Sequence, residues 1–231
     1  MKKCYWCGEP ATSKEHVPPK CLFPERKDVN DIYNKNFRTS LITVPSCEEH
    51  NLKKSQDDEY LMACLAPNFG NNGIAYIHTQ TKVRRAAERN KKLYKVVGYK
   101  TIKVRNKKFP MMIIQTDTYR LVRSFEAIGR ALYFYTHNKQ FSGICKIIPT
   151  FIKDQKQNSR WNQFCDWCIS LVQSERNKWT EYGNNPDIFK YQFGEEDEVG
   201  CQMLLMTFYG HLEVYVVFAN NKAIDTLKLK K

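Results

Sequence analysis

No stretch of this chain approaches the run of about 18 apolar residues that a membrane-spanning helix needs, and Lys2 and Lys3 lead into Cys4, Tyr5 and Trp6 without the apolar core of a secretion signal. The expectation is a soluble, cytoplasmic protein. The P-loop, the G-x-G-x-x-G dinucleotide turn and the G-x-S-x-G nucleophile elbow are missing as well, so the nucleotide-cradling and serine-hydrolase classes that depend on them have no support. The nine cysteines are an odd number without a secretory context; they read as metal ligands and buried thiols rather than a disulfide framework. Acids are nearly missing from one segment, since residues 82–108 hold twelve Lys or Arg against a single Glu88. What the chain does have is apolar material, 42% of 231 residues, enough to bury a core in one domain with an appendage or in two small domains.

The chemistry concentrates near the amino terminus. Cys4-x-x-Cys7-Gly8 has the form of a knuckle whose backbone amides point at two thiolates, half of a tetrahedral zinc site. Cys47-x-x-His50 supplies a second pair at the same spacing. On a helix beginning near Cys47, positions i and i+3 share one face and can meet one ion. Cys4, Cys7, Cys47 and His50 are therefore expected to form a closed structural zinc site. The competing assignment puts His50 on a different metal and completes the zinc with Cys21 or Cys64. Cys165-x-x-Cys168 lacks a matching pair and lies among Trp161, Phe164 and Ile169, which reads as a packed helical surface.

Glu15-His16-Val17-Pro18 falls between the two zinc pairs. On an extended segment neighbouring side chains point to opposite sides unless a local distortion brings both into one groove. Asn51 directly follows His50 and on a helix is turned about 100° from the zinc face, toward whatever a preceding hairpin presents.

These motifs, C-x-x-C-G, E-H-V-x-P and C-x-x-H-N-x-x-K-S, resemble the HNH endonuclease superfamily in its zinc-stapled, treble-clef form, over about the first 60 residues. The resemblance implies a ββα-metal core. It implies that His16 is the general base activating water, that Glu15 and Asn51 hold a catalytic Mg2+ or Mn2+, and that the four zinc ligands are structural. The family more often has Asp at the position of Glu15, Cys at that of His50 and His at that of Asn51. The residue that orients His16 is left unassigned; the nearest asparagines are Asn34 and Asn36.

Residues 82–108 carry +11, leaving only +2 of the net +13 (13 minus 11) for the rest of the chain. Such a block is either a solvated face or the footprint of a polyanion, whose counterions it releases on binding. Beside a nuclease-like core the polyanion is favoured, with Lys82, Arg84, Arg85, Arg89, Lys91 and Lys92 as the nucleic-acid-binding residues and DNA ahead of RNA.

The expected class is α+β: an HNH domain at 1–66, then a mixed accessory domain at 74–231 with an antiparallel sheet. The polar residues 24–40 read as a loop, 41–44 as a strand, 47–65 as a helix and 66–73 as the domain boundary. Beyond it helices are expected near 81–92, 118–135 and 159–178, strands near 93–105, 110–115 and 144–148, and a hairpin at 202–208 and 212–218. The resulting function is a metal-dependent endonuclease, by family analogy a restriction or phage-defence effector, with residues 74–231 open to a regulatory protein partner. The alternative is a zinc-stapled nucleic-acid-binding or protein adaptor without catalysis.

Overall fold

The computed structural model describes residues 2–52 and 55–229. It is a mixed α+β chain with three antiparallel sheets. A short hairpin comes first: β1 (Ser13–Val17) pairs with β2 (Ile42–Ser46), His16 opposite Thr43 and Glu15 opposite Val44. Helices α2 (Glu48–Leu52) and α3 (Ser55–Leu65) follow. The single helix expected over 47–65 is thus helical on either side of residues 53–54, which lie outside the described residues.

The segment 24–40 is not the continuous loop expected from its polar composition, because α1 (Arg26–Tyr33) forms within it. Its apolar content is too sparse to show a period, with Val29 as its one buried residue and Ile32 exposed. Tertiary contacts hold it instead: Arg85 reaches Asp28 with two hydrogen bonds of 3.0 and 2.7 Å, a paired geometry that makes an Arg–carboxylate contact directional.

Residues 66–73 make a tight connection fastened by asparagines. Asn71 Nδ2 donates to the carbonyls of Leu65 and Ala66, and Asn72 caps α4 (Gly73–His78) by accepting from Ala75 N–H. A π-helical turn (Thr79–Val83) and α5 (Arg84–Arg89) continue α4. The helix therefore starts well before the expected position 81, since its buried face of Ile74, Ala75 and His78 lies in a stretch whose Gly and Asn content signals a break.

Next comes a long two-stranded ribbon, β3 (Lys95–Val104) and β4 (Lys107–Gln115), turning at Arg105 and Asn106, both at positive φ. Such a pair matches the twist of a two-residue hairpin. Helix α6 (Thr118–His137) is capped by Asp117, whose side chain accepts from Arg120 N–H. As the three- and four-residue spacing predicts, Leu121, Phe125, Ile128 and Leu132 are buried on one face.

The main sheet has the order β5-β9-β8-β7-β6, from β5 (Gly143–Pro149), β6 (Glu181–Asn185), β7 (Phe189–Phe193), β8 (Cys201–Phe208) and β9 (Leu212–Asn220). Strands β6 and β7 are not among the expected elements; β6 is mostly polar and exposed and offers no alternation, whereas in β7 Phe189, Tyr191 and Phe193 alternate with Lys190 and Gln192. Alternation along β8 and β9 separates two cores. Leu204, Met206, Val214, Val216 and Phe218 belong to the cluster shared with α6, while Leu205 and Tyr215 face α7 (Arg160–Gln173). Cys165 and Cys168 are buried in that second cluster, the packed surface expected of them. The chain ends in α8 (Asn221–Leu227).

The large cluster runs without interruption from Cys4 and Tyr5 to Phe218. Its deepest tie is Tyr209, fully buried at the β8–β9 turn, whose hydroxyl donates to the Leu22 carbonyl at 2.7 Å. No helix among the described residues is long and apolar enough to cross a membrane.

His78 lies fully buried with Nε2 on the Cys21 carbonyl at 3.0 Å. Burial pushes its pKa down to about 4 against that hydrogen bond, helped by the charges of Lys82 and Arg38. The unfolded chain, with His near 6.5, then binds the extra proton between about pH 4 and 6.5, so stability falls as pH drops through that window. The full effect is roughly 3 kcal/mol. Denaturation midpoints measured from pH 7 to 4 are expected to fall more steeply for the wild type than for His78→Asn, which keeps a donor for Cys21 but cannot protonate; parallel curves contradict this assignment.

Candidate functional site

The first site is the group Cys4, Cys7, Cys47 and His50, whose four donor atoms all lie within 4.8 Å of one another. The Cys7 and Cys47 sulfurs are 3.7 Å apart, and His50 Nδ1 is 3.1 Å from Cys47 Sγ and 3.9 Å from Cys4 Sγ. A tetrahedral ion with S and N ligands at about 2.3 and 2.0 Å separates its donors by about 3.5–3.8 Å, so the four lie close enough to meet on one ion. The group could hold a structural metal such as zinc.

Local structure explains the arrangement. Gly8 closes the knuckle at φ +80°, and a Cβ there would press within 3.2 Å of Gln140. Burial alone raises the Cys4 thiol, but the backbone amides of Cys7, Trp6 and Cys47 outweigh it and bring the pKa below the ordinary value, favouring the thiolate that a metal requires. Second-layer contacts come from far along the chain. Gln140 Nε2 donates to the Cys4 carbonyl at 2.7 Å. Trp6 stacks on the His50 ring at 5.2 Å, with the Arg130 guanidinium 5.1 Å from the Trp6 ring centre.

The second site is a cleft of about 470 Å3 beside this group. Glu15, His16 and Asn51, brought together only by resemblance at the level of sequence, all line it. Strand β1 pairs with β2 along one edge only, so a cleft along its other edge can receive side chains from both faces. Glu15 is buried, and Ser46 Oγ donates to its Oε2 at 3.4 Å. The neighbouring Tyr5 phenol is pushed well above its usual range by burial and by the charge of Glu15. His16 is half-buried; burial and then the Lys20 ammonium lower its pKa, leaving the imidazole neutral near pH 7. Asn51 Nδ2 donates to Ser13 Oγ at 2.8 Å, which leaves Oδ1 as the acceptor end of the amide.

Lys14, Lys20 and Met62, which the sequence does not single out, also line the cleft, together with Cys21 and Asp58. Asp58 belongs to the run Asp57-Asp58-Glu59-Tyr60, in which Asp57 pairs with Arg120 and Glu59 with Arg89, both at 2.7 Å. Asp58 and Glu59 both line the cleft while Asp57 does not, a difference set by their rotation about α3 that the sequence run itself does not mark. Cys21 donates to the Asp58 carbonyl at 3.2 Å, and burial pushes its thiol up to about 12. Cys64 is buried in the core. Neither joins the group around His50.

The six basic residues expected to meet nucleic acid are scattered. Lys82 lines the cleft and lies 3.4 Å from Glu25. Arg84 pairs with Glu88, Arg85 with Asp28 and Arg89 with Glu59. Lys91 and Lys92 are exposed ahead of β3.

Zinc analysis with limited proteolysis tests the division of labour between adjacent residues. His50→Ala is expected to lose the metal and become protease-sensitive, because metal-binding energy in so small a motif is largely folding energy. Asn51→Ala should retain one zinc per chain and its thermal transition. A folded, zinc-loaded His50→Ala protein would reverse the two roles.

Compared with known proteins, the chain matches no protein-family model, no curated protein and no solved structure.

Proposed function

We propose that the chain is a metal-dependent phosphodiesterase of the HNH type acting on nucleic acid, DNA in the first place. The observation that carries this reading is the convergence of Glu15, His16 and Asn51 on one cleft next to a Cys3His group. A β-hairpin leading into a helix, with soft donors on one side and hard oxygen donors on the other, is the arrangement that the family resemblance implies.

The donor chemistry sorts the metals. Three thiolates and an imidazole suit zinc, whereas the Glu15 carboxylate and Asn51 amide oxygen, with the Asp58 carboxylate in the same cleft, suit Mg2+ or Mn2+. A divalent cation held there would stabilise the charge developing on the phosphate and the leaving 3'-oxygen. His16, neutral near pH 7, takes the proton from the attacking water. The ammonium groups of Lys14, Lys20 and Lys82 on the cleft walls attract the phosphodiester and offset its charge. Ser13 orients Asn51 through their hydrogen bond.

The decisive experiment incubates the purified protein with plasmid, single-stranded DNA and RNA, with and without Mg2+ or Mn2+. Cleavage should require the added cation and should fall at least about 100-fold in His16→Ala, with affinity changed only a few-fold, because a general base acts in the transition state. Binding without cleavage under every condition would leave a zinc-stapled adaptor as the better reading.

A further inference from the structure

The fold divides the basic block into two parts with different electrostatic fates. On α5 the arginines meet acids of their own chain, Arg84 with Glu88, Arg85 with Asp28 and Arg89 with Glu59. On the β3–β4 ribbon Lys95, Lys100, Lys103, Arg105, Lys107 and Lys108 are all exposed, and none makes an ion pair among the described residues. No acid occurs between Glu88 and Asp117. The positive potential that the sequence distributes over residues 82–108 is therefore concentrated on the ribbon.

The ribbon is also structurally unpartnered. Its two strands bond only to each other, and β4 is exposed along most of its length on both faces. Tyr99, Phe109, Met112 and Ile113 stand 75, 45, 45 and 41% exposed, side chains that a free ribbon gains nothing by holding in water. Its base is fixed. Arg89 at one flank pairs with Glu59, and Asp117 at the other donates its N–H to the Tyr60 hydroxyl at 2.6 Å. Glu59 and Tyr60 lie on α3, the helix whose Gln56, Asp58 and Met62 line the cleft. An arm gripped at both ends by a wall of the cleft keeps a fixed relation to it.

We propose that the β3–β4 ribbon is a duplex-binding arm that lies in a groove of DNA and presents the adjacent backbone to the cleft; the second half of this statement rests on the nuclease reading, the first does not. The charge selects the occupant. Six unpaired cations without an acid call for a polyanion, and a second copy of a chain whose ribbon carries the same sign would be repelled. The shape selects the form, since a two-stranded ribbon fits the major groove, about 12 Å wide. There Tyr99 and Met112, directly opposite each other on one face of the ribbon, can meet base edges and thymine methyls while the lysines reach phosphates.

The test measures binding of a fluorescent DNA duplex across a salt series, in a His16→Ala background so that cleavage plays no part. Replacing the six ribbon cations by Gln should weaken binding at least about tenfold and reduce the salt slope by about 3 to 5, close to 0.9 for each phosphate no longer neutralised. Zinc content and the thermal transition should stay at wild-type values. Arg84→Gln, which removes an α5 cation already paired with Glu88, should change the slope by less than about 1. Tyr99→Ala with Met112→Ala should weaken duplex more than single-stranded DNA. The proposal is overturned if the ribbon variant binds duplex as tightly as its parent, if the α5 variant causes the larger loss, or if the ribbon variant changes only the oligomeric state or binding to anionic phosphatidylserine vesicles. Wild-type protein that never cleaves, with ribbon-dependent binding intact, removes the nuclease reading and leaves the arm standing.

Discussion

Three sulfurs and an imidazole nitrogen drawn within 4.8 Å of one another are the constraint on which the amino-terminal region depends. A metal bound by these four donors would tie the knuckle at Cys4 to the start of α2 through one coordination sphere. This closure fixes the rotation of α2. With His50 committed to the sulfurs, the next residue must point elsewhere, and the helical turn carries Asn51 to the cleft and onto Ser13 of β1. The group that could hold a structural metal and the cleft are thereby coupled through one peptide bond.

The rest of the chain braces this arrangement. Gln140 holds the Cys4 carbonyl, Arg130 covers Trp6, and Trp6 covers His50. Arg130 is itself held by Glu126 and by the carbonyls of Phe141 and Gly143. From the other side Tyr209 reaches the Leu22 carbonyl from the sheet, and His78 reaches that of Cys21. Because these partners are buried or partly buried, each carries more weight than an exposed contact of the same length. The chain beyond residue 74 therefore shapes the cleft even though, of the residues lining it, only Lys82 comes from there.

Charge follows the same logic of placement. Glu25 is held down to about 2, first by Lys27 and then by the charges of Lys82 and Arg38 against the effect of burial, so the helical basic residues are largely absorbed into the fold. The ribbon has no such partners among the described residues. A single basic segment thus supplies internal cement at one end and an open cationic surface at the other.

The zinc-type ligand set was legible because spacing alone imposes it: two C-x-x-C/H pairs can converge only if each occupies one turn. The apolar face of α6 and the β8–β9 hairpin were legible for a similar reason, since local periodicity decides which side is buried. Glu15 and Asn51 could be named from resemblance, but their convergence with Asp58 and Lys82 depends on long-range packing of β1, α3 and the helix after Gly73. Nothing local distinguishes Asp58 from Asp57, or Lys82 from Arg84. Helix α1 and strand β6 were hidden because each buries too little to leave a pattern; α1 is held by Arg85, remote in sequence, and β6 by a pairing with β7 whose register shifts. The sequence by itself determined the ligand types, the amphipathic elements and the total charge. Only the tertiary structure decided which charges remain unpaired and which side chains share a cleft, because both depend on distances between segments that the order of residues does not contain.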